Sequence, residues 1–190
     1  LTAAVETARQ AQRKVAAHAH GASGMKNAIR AGVHSIEHAT LLDDEAGGLM
    51  KQHGVYMVPT LSALATTAAG RPGCGIPVSA LDKAKAMTKR HQASFKKAHQ
   101  SGLLIAMGTD AGTPFNNHGD NAQELERMVA LGMTPMEAIL ASHYHSTMER
   151  IAREKLPAGD RDEDRPHPEN HSLAHLHAVL DRLRRVGLAP

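Results

Sequence analysis

The sequence predicts an α/β fold with a parallel sheet, assembled from consecutive strand–helix units. Three observations predict it. Short apolar runs alternate with amphipathic stretches over residues 13–141, the pattern of βα units. Glycines stand just past two of the helical stretches, at Gly32 and Gly54, where helices commonly end. Three of the apolar runs finish in histidine or aspartate, the side chains that a parallel barrel gathers at one mouth.

In chain order, Thr2–Gln12 reads as a helix and Lys14–His18 as the first strand. Ser23–Ala31 is a helix and Val33–Glu37 the second strand; Asp43–His53 is a helix and Val55–Pro59 the third strand. Ser62–Pro77 holds Gly70, Pro72, Gly73, Gly75 and Pro77, so it is expected to be a long loop, of the kind that is usually functional or disordered. Ala80–Gln100 is a long helix, Leu103–Met107 the fourth strand, and Asn121–Ala130 a helix. A last helix covers Thr134–Ala141, with Thr134 as its N-cap and Pro135 in the first turn.

Past Ser142 the composition changes. Six of the fourteen histidines (His143, His145, His167, His171, His175 and His177) fall there, and PAGDRDEDRPHP at 157–168 is polar and turn-rich. Residues 142–190 are therefore expected to be an atypical, partly disordered tail after a domain spanning 1–141, with one amphipathic helix over Leu173–Arg185.

Composition narrows the function classes. With two Tyr, two Phe and no Trp, the core must come from Ala, Val, Ile, Leu and Met. The net charge of +3 is spread along the chain without stacking aromatics, which argues against nucleic-acid binding. The single Cys74 excludes an internal disulfide framework and a cysteine-rich zinc module, and favours a reducing compartment such as the cytoplasm. No run approaches a membrane span, and the first residues carry no signal-peptide pattern.

The chemistry lies in the strand ends. The first ends in His18-Ala19-His20-Gly21, the second in Glu37-His38 and the fourth in Gly108-Thr109-Asp110-Ala111-Gly112. Imidazole and carboxylate suit zinc, and a catalytic zinc keeps one position open. Taken singly, an HxH is commonly incidental and TDAG is ordinary turn chemistry. Together, in order and at βα spacing, they read as part of a metal shell.

VAAHAHG at 15–21, AGVHSIEHAT at 31–40, GVYMVPTL at 54–61 and SGLLIAMGTDAGTPFNNHGDNAQELERMVALGMTPMEAI at 101–139 resemble the amidohydrolase superfamily. The resemblance is nearest to its imidazolonepropionase-like branch with prolidase-type enzymes. It implies a partial TIM-type (β/α)8 barrel, strands five to eight with their helices. It also implies one or two divalent metals, with His18 and His38 holding the more exposed one. Asp110 would hold the buried one and serve as general base, and His20 and, more weakly, His118 would face the substrate. The implied reaction is hydrolysis of an amide or dipeptide C–N bond. A deaminase or imidazolone-type ring hydrolase on the same scaffold and a non-catalytic half-barrel are the alternatives. The family's strand-one HxH and strand-four lysine have no counterpart in this sequence, so the chain alone is expected to be inactive and to self-associate through open barrel edges.

Overall fold

The computed structural model describes residues 1–143; the readings made for the tail beyond them lie outside the described residues. Three strands, β1 (Ala16–Ala19), β2 (Ser35–His38) and β3 (Tyr56–Val58), form a parallel sheet in the order β1-β2-β3. The register sets His18 opposite Glu37 and Glu37 opposite Val58. Helices α1 (Thr2–Gln10), α2 (Ala22–Ala31), α3 (Asp44–His53), α4 (Leu61–Ala68), α5 (Val78–Gln100) and α6 (Ala122–Ala130) precede and follow the strands. The chain is helical again from 135 to 143.

Local chemistry explains the helices. Met25, Ala28 and Ile29 of α2 recur at helical spacing and are buried, and Gly32 closes the helix in the left-handed region, φ 92°. Asp43 caps α3 by accepting the Ala46 amide at 2.7 Å, and Gly54 ends it at φ 63°. Lys26 on α2 reaches Asp43 at 3.2 Å and Glu45 at 2.7 Å, joining the two helix ends. The last helix opens with a reciprocal cap: the Glu137 amide donates to Thr134 Oγ1 at 3.2 Å and the Thr134 amide to Glu137 Oε2 at 2.7 Å. The core is methionine-rich, with Met25, Met50, Met57 and Met128 fully buried around Phe95, Ile29, Ile36 and Leu125.

Two expectations change. The stretch read as a loop from Ser62 is helical as α4 to Ala68, and only the glycine- and proline-rich residues beyond it are irregular. LSALATTA is itself a sound helix former, and the breakers crowd behind it. The fourth strand shrinks to a single parallel bridge, Met57 with Ile105. Met57 donates to Leu104 O and accepts from Ala106 N, both at 2.9 Å. On the β3 side the neighbouring donors are missing: Val55 N is committed to Met50 O at 2.9 Å, and Pro59 has no N–H to give. The fourth segment thus lies beside β3 as expected but cannot extend its ladder. Among the described residues no helix is long and apolar enough to cross a membrane.

Glycine marks where this segment meets β3. A Cβ at Gly108 would collide with the Val58 side chain, whereas one at Gly48, exposed within α3, meets nothing within 4 Å. Gly108→Ala should therefore destabilise the chain by about 1–3 kcal/mol through overpacking. Gly48→Ala should stabilise it by about 0.5–1 kcal/mol through helix propensity. Urea unfolding of both variants checks the opposite signs.

Candidate metal centre

His18 and His20 sit two residues apart at the end of β1 and share a face of the strand. His38 reaches them by a different route. Along β2 the alternation that buries Ile36 would send His38 to the same helix-facing side. Instead His38 has φ 73° and Ala39 φ 46°, and the left-handed turn swings the imidazole back over the strand ends. There His38 Nε2 lies 2.8 Å from His18 Nδ1. The rings of His20 and His38 stack at 4.6 Å between centroids, and His18 stands edge-on to both. One ligand atom from each of the three histidines falls within 4.8 Å of the others, a set that does not include Asp110.

The imidazoles are held by threonines from the next strand end. Thr40 Oγ1 lies 2.7 Å from His20 Nδ1, and Thr60 Oγ1 lies 2.7 Å from His38 Nδ1. A proton on each Nδ1, donated to the hydroxyl, leaves Nε2 with its lone pair, the form that binds metal. Helix α5 braces the turn itself. Buried His91 donates from Nε2 to His38 O at 2.9 Å, and Ser94 Oγ donates to Thr40 O at 2.8 Å.

The site keeps His20 and His38 neutral. Burial lowers the pKa of His38 to about 4, with the neighbouring His20, His18 and His91 adding to the effect. Burial also lowers that of His20, followed by His18; the Asp110 carboxylate opposes this. Neutral nitrogen lone pairs are what a divalent metal needs.

Asp110 is exposed and stands at φ 53°. Buried Asn116 fixes its turn, donating from Nδ2 to Thr109 O at 2.7 Å and to Asp110 O at 3.0 Å. A cavity of about 520 Å³ is lined by His18, Glu37, His38, Thr60, Thr109 and Asp110 among others. Of the residues singled out in the sequence, His18, His38 and Asp110 thus share one cavity. His20 joins the imidazole cluster, which places it among metal-ligand candidates as well as substrate-facing ones. His118 is exposed beside Gly112 and does not line the cavity. Sequence reasoning passed over Thr40, Thr60, His91 and Ser94. The one available signal was a histidine and a serine on the apolar face of α5.

The profile of the Amidohydrolase family matches residues 1–145. Ochratoxinase of Aspergillus niger is 37% identical over 143 residues, 75% of this chain and 29% of its own length. An uncharacterized protein of Mycobacterium tuberculosis is 32% identical over 142 residues, 75% of this chain and 38% of its own. Among solved structures, a Xaa-Pro dipeptidase with methionine bound in its active site shares 38% identity at a TM-score of 0.72, over 90% of this chain and 44% of that one. The ochratoxinase crystal structure gives 37% and 0.65, over 74% and 32%. The chain spans less than two fifths of the length of these curated relatives.

Burial of His91 generates a pH dependence. Its pKa is lowered from 6.5 to about 4 by burial, so below pH 6.5 the unfolded chain takes up a proton that the folded chain refuses. The stability this histidine contributes is present above pH 6.5 and is lost as pH falls towards 4, by up to roughly 3 kcal/mol. In chelator-treated protein, urea midpoints between pH 7.5 and 4.5 should fall more steeply for wild type than for His91→Gln, which keeps an N–H donor for His38 O.

Proposed function

Because this chain belongs to the amidohydrolase family, we propose that it is the C-terminal half of a (β/α)8 barrel from a divalent-metal hydrolase that cleaves an amide C–N bond. The observation that carries the reading is the meeting of His18, His38 and Asp110 on one cavity. Imidazole nitrogens with a nearby carboxylate match zinc in donor type and number, so the residues fit the metal that the family implies. His18 and His38 would hold it through nitrogen, with Asp110 completing the shell.

A bound zinc supplies Lewis acidity to a substrate carbonyl at neutral pH. The chain's own residues supply the rest. The exposed Asp110 carboxylate takes a proton from the attacking water and returns it to the leaving amine nitrogen, a general base that becomes a general acid. Thr40 and Thr60 keep two imidazoles in register while this happens. Dipeptides are the favoured substrate class, on the likeness to the Xaa-Pro dipeptidase. His118, in the loop after Asp110 but outside the cavity lining, is kept only as a weaker candidate for substrate contact, not for metal.

His20 supports a second reading. Its place in the imidazole cluster fits a single-metal centre held by three nitrogens, with Asp110 left free as the base. Zinc titration separates the two: His20→Ala should leave zinc affinity within a few-fold if His20 faces substrate, and weaken it at least ten-fold if it is a ligand.

Activity tests the whole reading. The chain alone should hydrolyse no member of a dipeptide panel. Fused behind the N-terminal half of a related dipeptidase, it should do so in a chelator-sensitive way. Asp110→Asn in that fusion should lower kcat by about 10²–10⁴-fold, the usual contribution of a positioned acid–base group. A fusion indifferent to Asp110→Asn contradicts the assignment.

A further inference from the structure

Helix α4 begins in an unusual way. Its N-cap, Thr60, is of a residue type that ordinarily turns its hydroxyl onto the first free amides of its own helix. Here Thr60 makes no such bond. Its hydroxyl points to His38 Nδ1 at 2.7 Å, and its backbone is left-handed, φ 49° and ψ 45°, a costly conformation for a β-branched residue. The amides it leaves open are met from elsewhere. Glu124 of α6, with no solvent exposure, accepts the Leu61 amide through Oε1 and the Ser62 amide through Oε2, each at 2.7 Å. Arg127, one turn along α6, donates to Ser62 Oγ at 3.3 Å.

We propose that Glu124 is a positioning residue for the metal centre: by capping α4 from another helix, it frees the Thr60 hydroxyl to fix the His38 ring. Without Glu124, two buried amides lose this partner, and the Thr60 hydroxyl beside them is of the type that caps such amides. The hydroxyl then faces a competition that the helix wins, because an unsatisfied buried N–H costs more than a loosened imidazole. Burial pushes the Glu124 carboxyl up to about 7, against its bonds to Ser62 and Leu61 and the charge of Arg127. Accepting two amides at once takes both oxygens of the ionised form, so these bonds and Arg127 pull against burial to hold the carboxylate. The arm also ties two strand ends together, since Thr109, beside Asp110, donates to Asn121 Oδ1 at the head of α6 at 3.4 Å.

This inference rests on the reading of His38 as a metal ligand, and two measurements on the 190-residue chain keep the two apart. Nitrogen-15 NMR of the metal-free protein reports the His38 tautomer, and competitive chelator titration reports zinc affinity. Wild type should show His38 protonated at Nδ1. Glu124→Gln, which can offer only one acceptor, should mix the tautomers and weaken zinc by about ten- to a hundred-fold, the usual effect of losing an outer partner of a ligand. Thr60→Val should do the same, Thr60→Ser should retain affinity within a few-fold, and the Glu124→Gln/Thr60→Val double variant should be no worse than Thr60→Val. A folded Glu124→Gln with wild-type tautomer and affinity overturns the proposal, as do losses that add in the double variant. Should Glu124→Gln fail to fold, Glu124→Asp takes its place, its shorter arm reaching one amide, with the same two results deciding. A wild-type chain that binds no zinc overturns the metal reading and leaves the tautomer comparison to decide this one.

Discussion

The arrangement of this molecule depends on left-handed backbone at its strand ends. His38, Thr60 and Asp110 all have positive φ, at 73°, 49° and 53°, and none is glycine. Such conformations cost roughly 1–2 kcal/mol each for residues with a Cβ. They persist because surrounding groups over-determine them. His91 holds the His38 carbonyl, Glu124 holds the amides after Thr60, and Asn116 holds the Asp110 carbonyl. Relax any one turn and a regular strand would carry its side chain towards the helices or solvent. The cavity is therefore a product of strain located where chemistry is collected.

Charge follows the same economy. The three imidazoles lie close enough to repel one another if protonated, and burial with mutual proximity keeps His20 and His38 neutral at ordinary pH. The counter-charge stays at the rim, where Asp110 remains exposed. A set in which three imidazoles outnumber the two carboxylates on the cavity, Glu37 and Asp110, suits borderline metals such as zinc over the hard, oxygen-seeking magnesium and calcium.

Most of the framework was legible in the sequence, for physical reasons that can be named. Strands β1, β2 and β3 are short apolar runs bounded by glycine-ended helices, and Thr134 marked its N-cap directly. The histidines and aspartate at strand ends were legible as a group, because parallel strands bring their C-terminal ends together. Helix α4 was hidden by the breakers that follow it, since Gly70, Pro72 and Gly73 dominate any window that includes them. The fourth strand lost its ladder at the ends of β3, where Val55 N turns back to Met50 O and Pro59 carries no N–H. The inward swing of His38 contradicts the two-residue alternation that Ile36 establishes, so no pattern of β2 alone could announce it. Thr60, His91 and Glu124 act on groups 22, 53 and 63 positions away, and separations of that size leave no trace in local periodicity.

Those separations all run in one direction. His20 is steadied by Thr40, and His38 by Thr60 and His91; each brace comes later in the chain than the imidazole it steadies. On a ribosome the three rings emerge first and can rotate freely, while the helices that will orient them are still unmade. Domains are synthesised from the N-terminus at only about 5–20 residues per second. The rings therefore spend seconds exposed and unoriented before α5 and α6 can dock. On the proposed metal reading, whether an ion would arrive before or after those helices is a matter of timing, and the sequence order makes this imidazole cluster one that is oriented late.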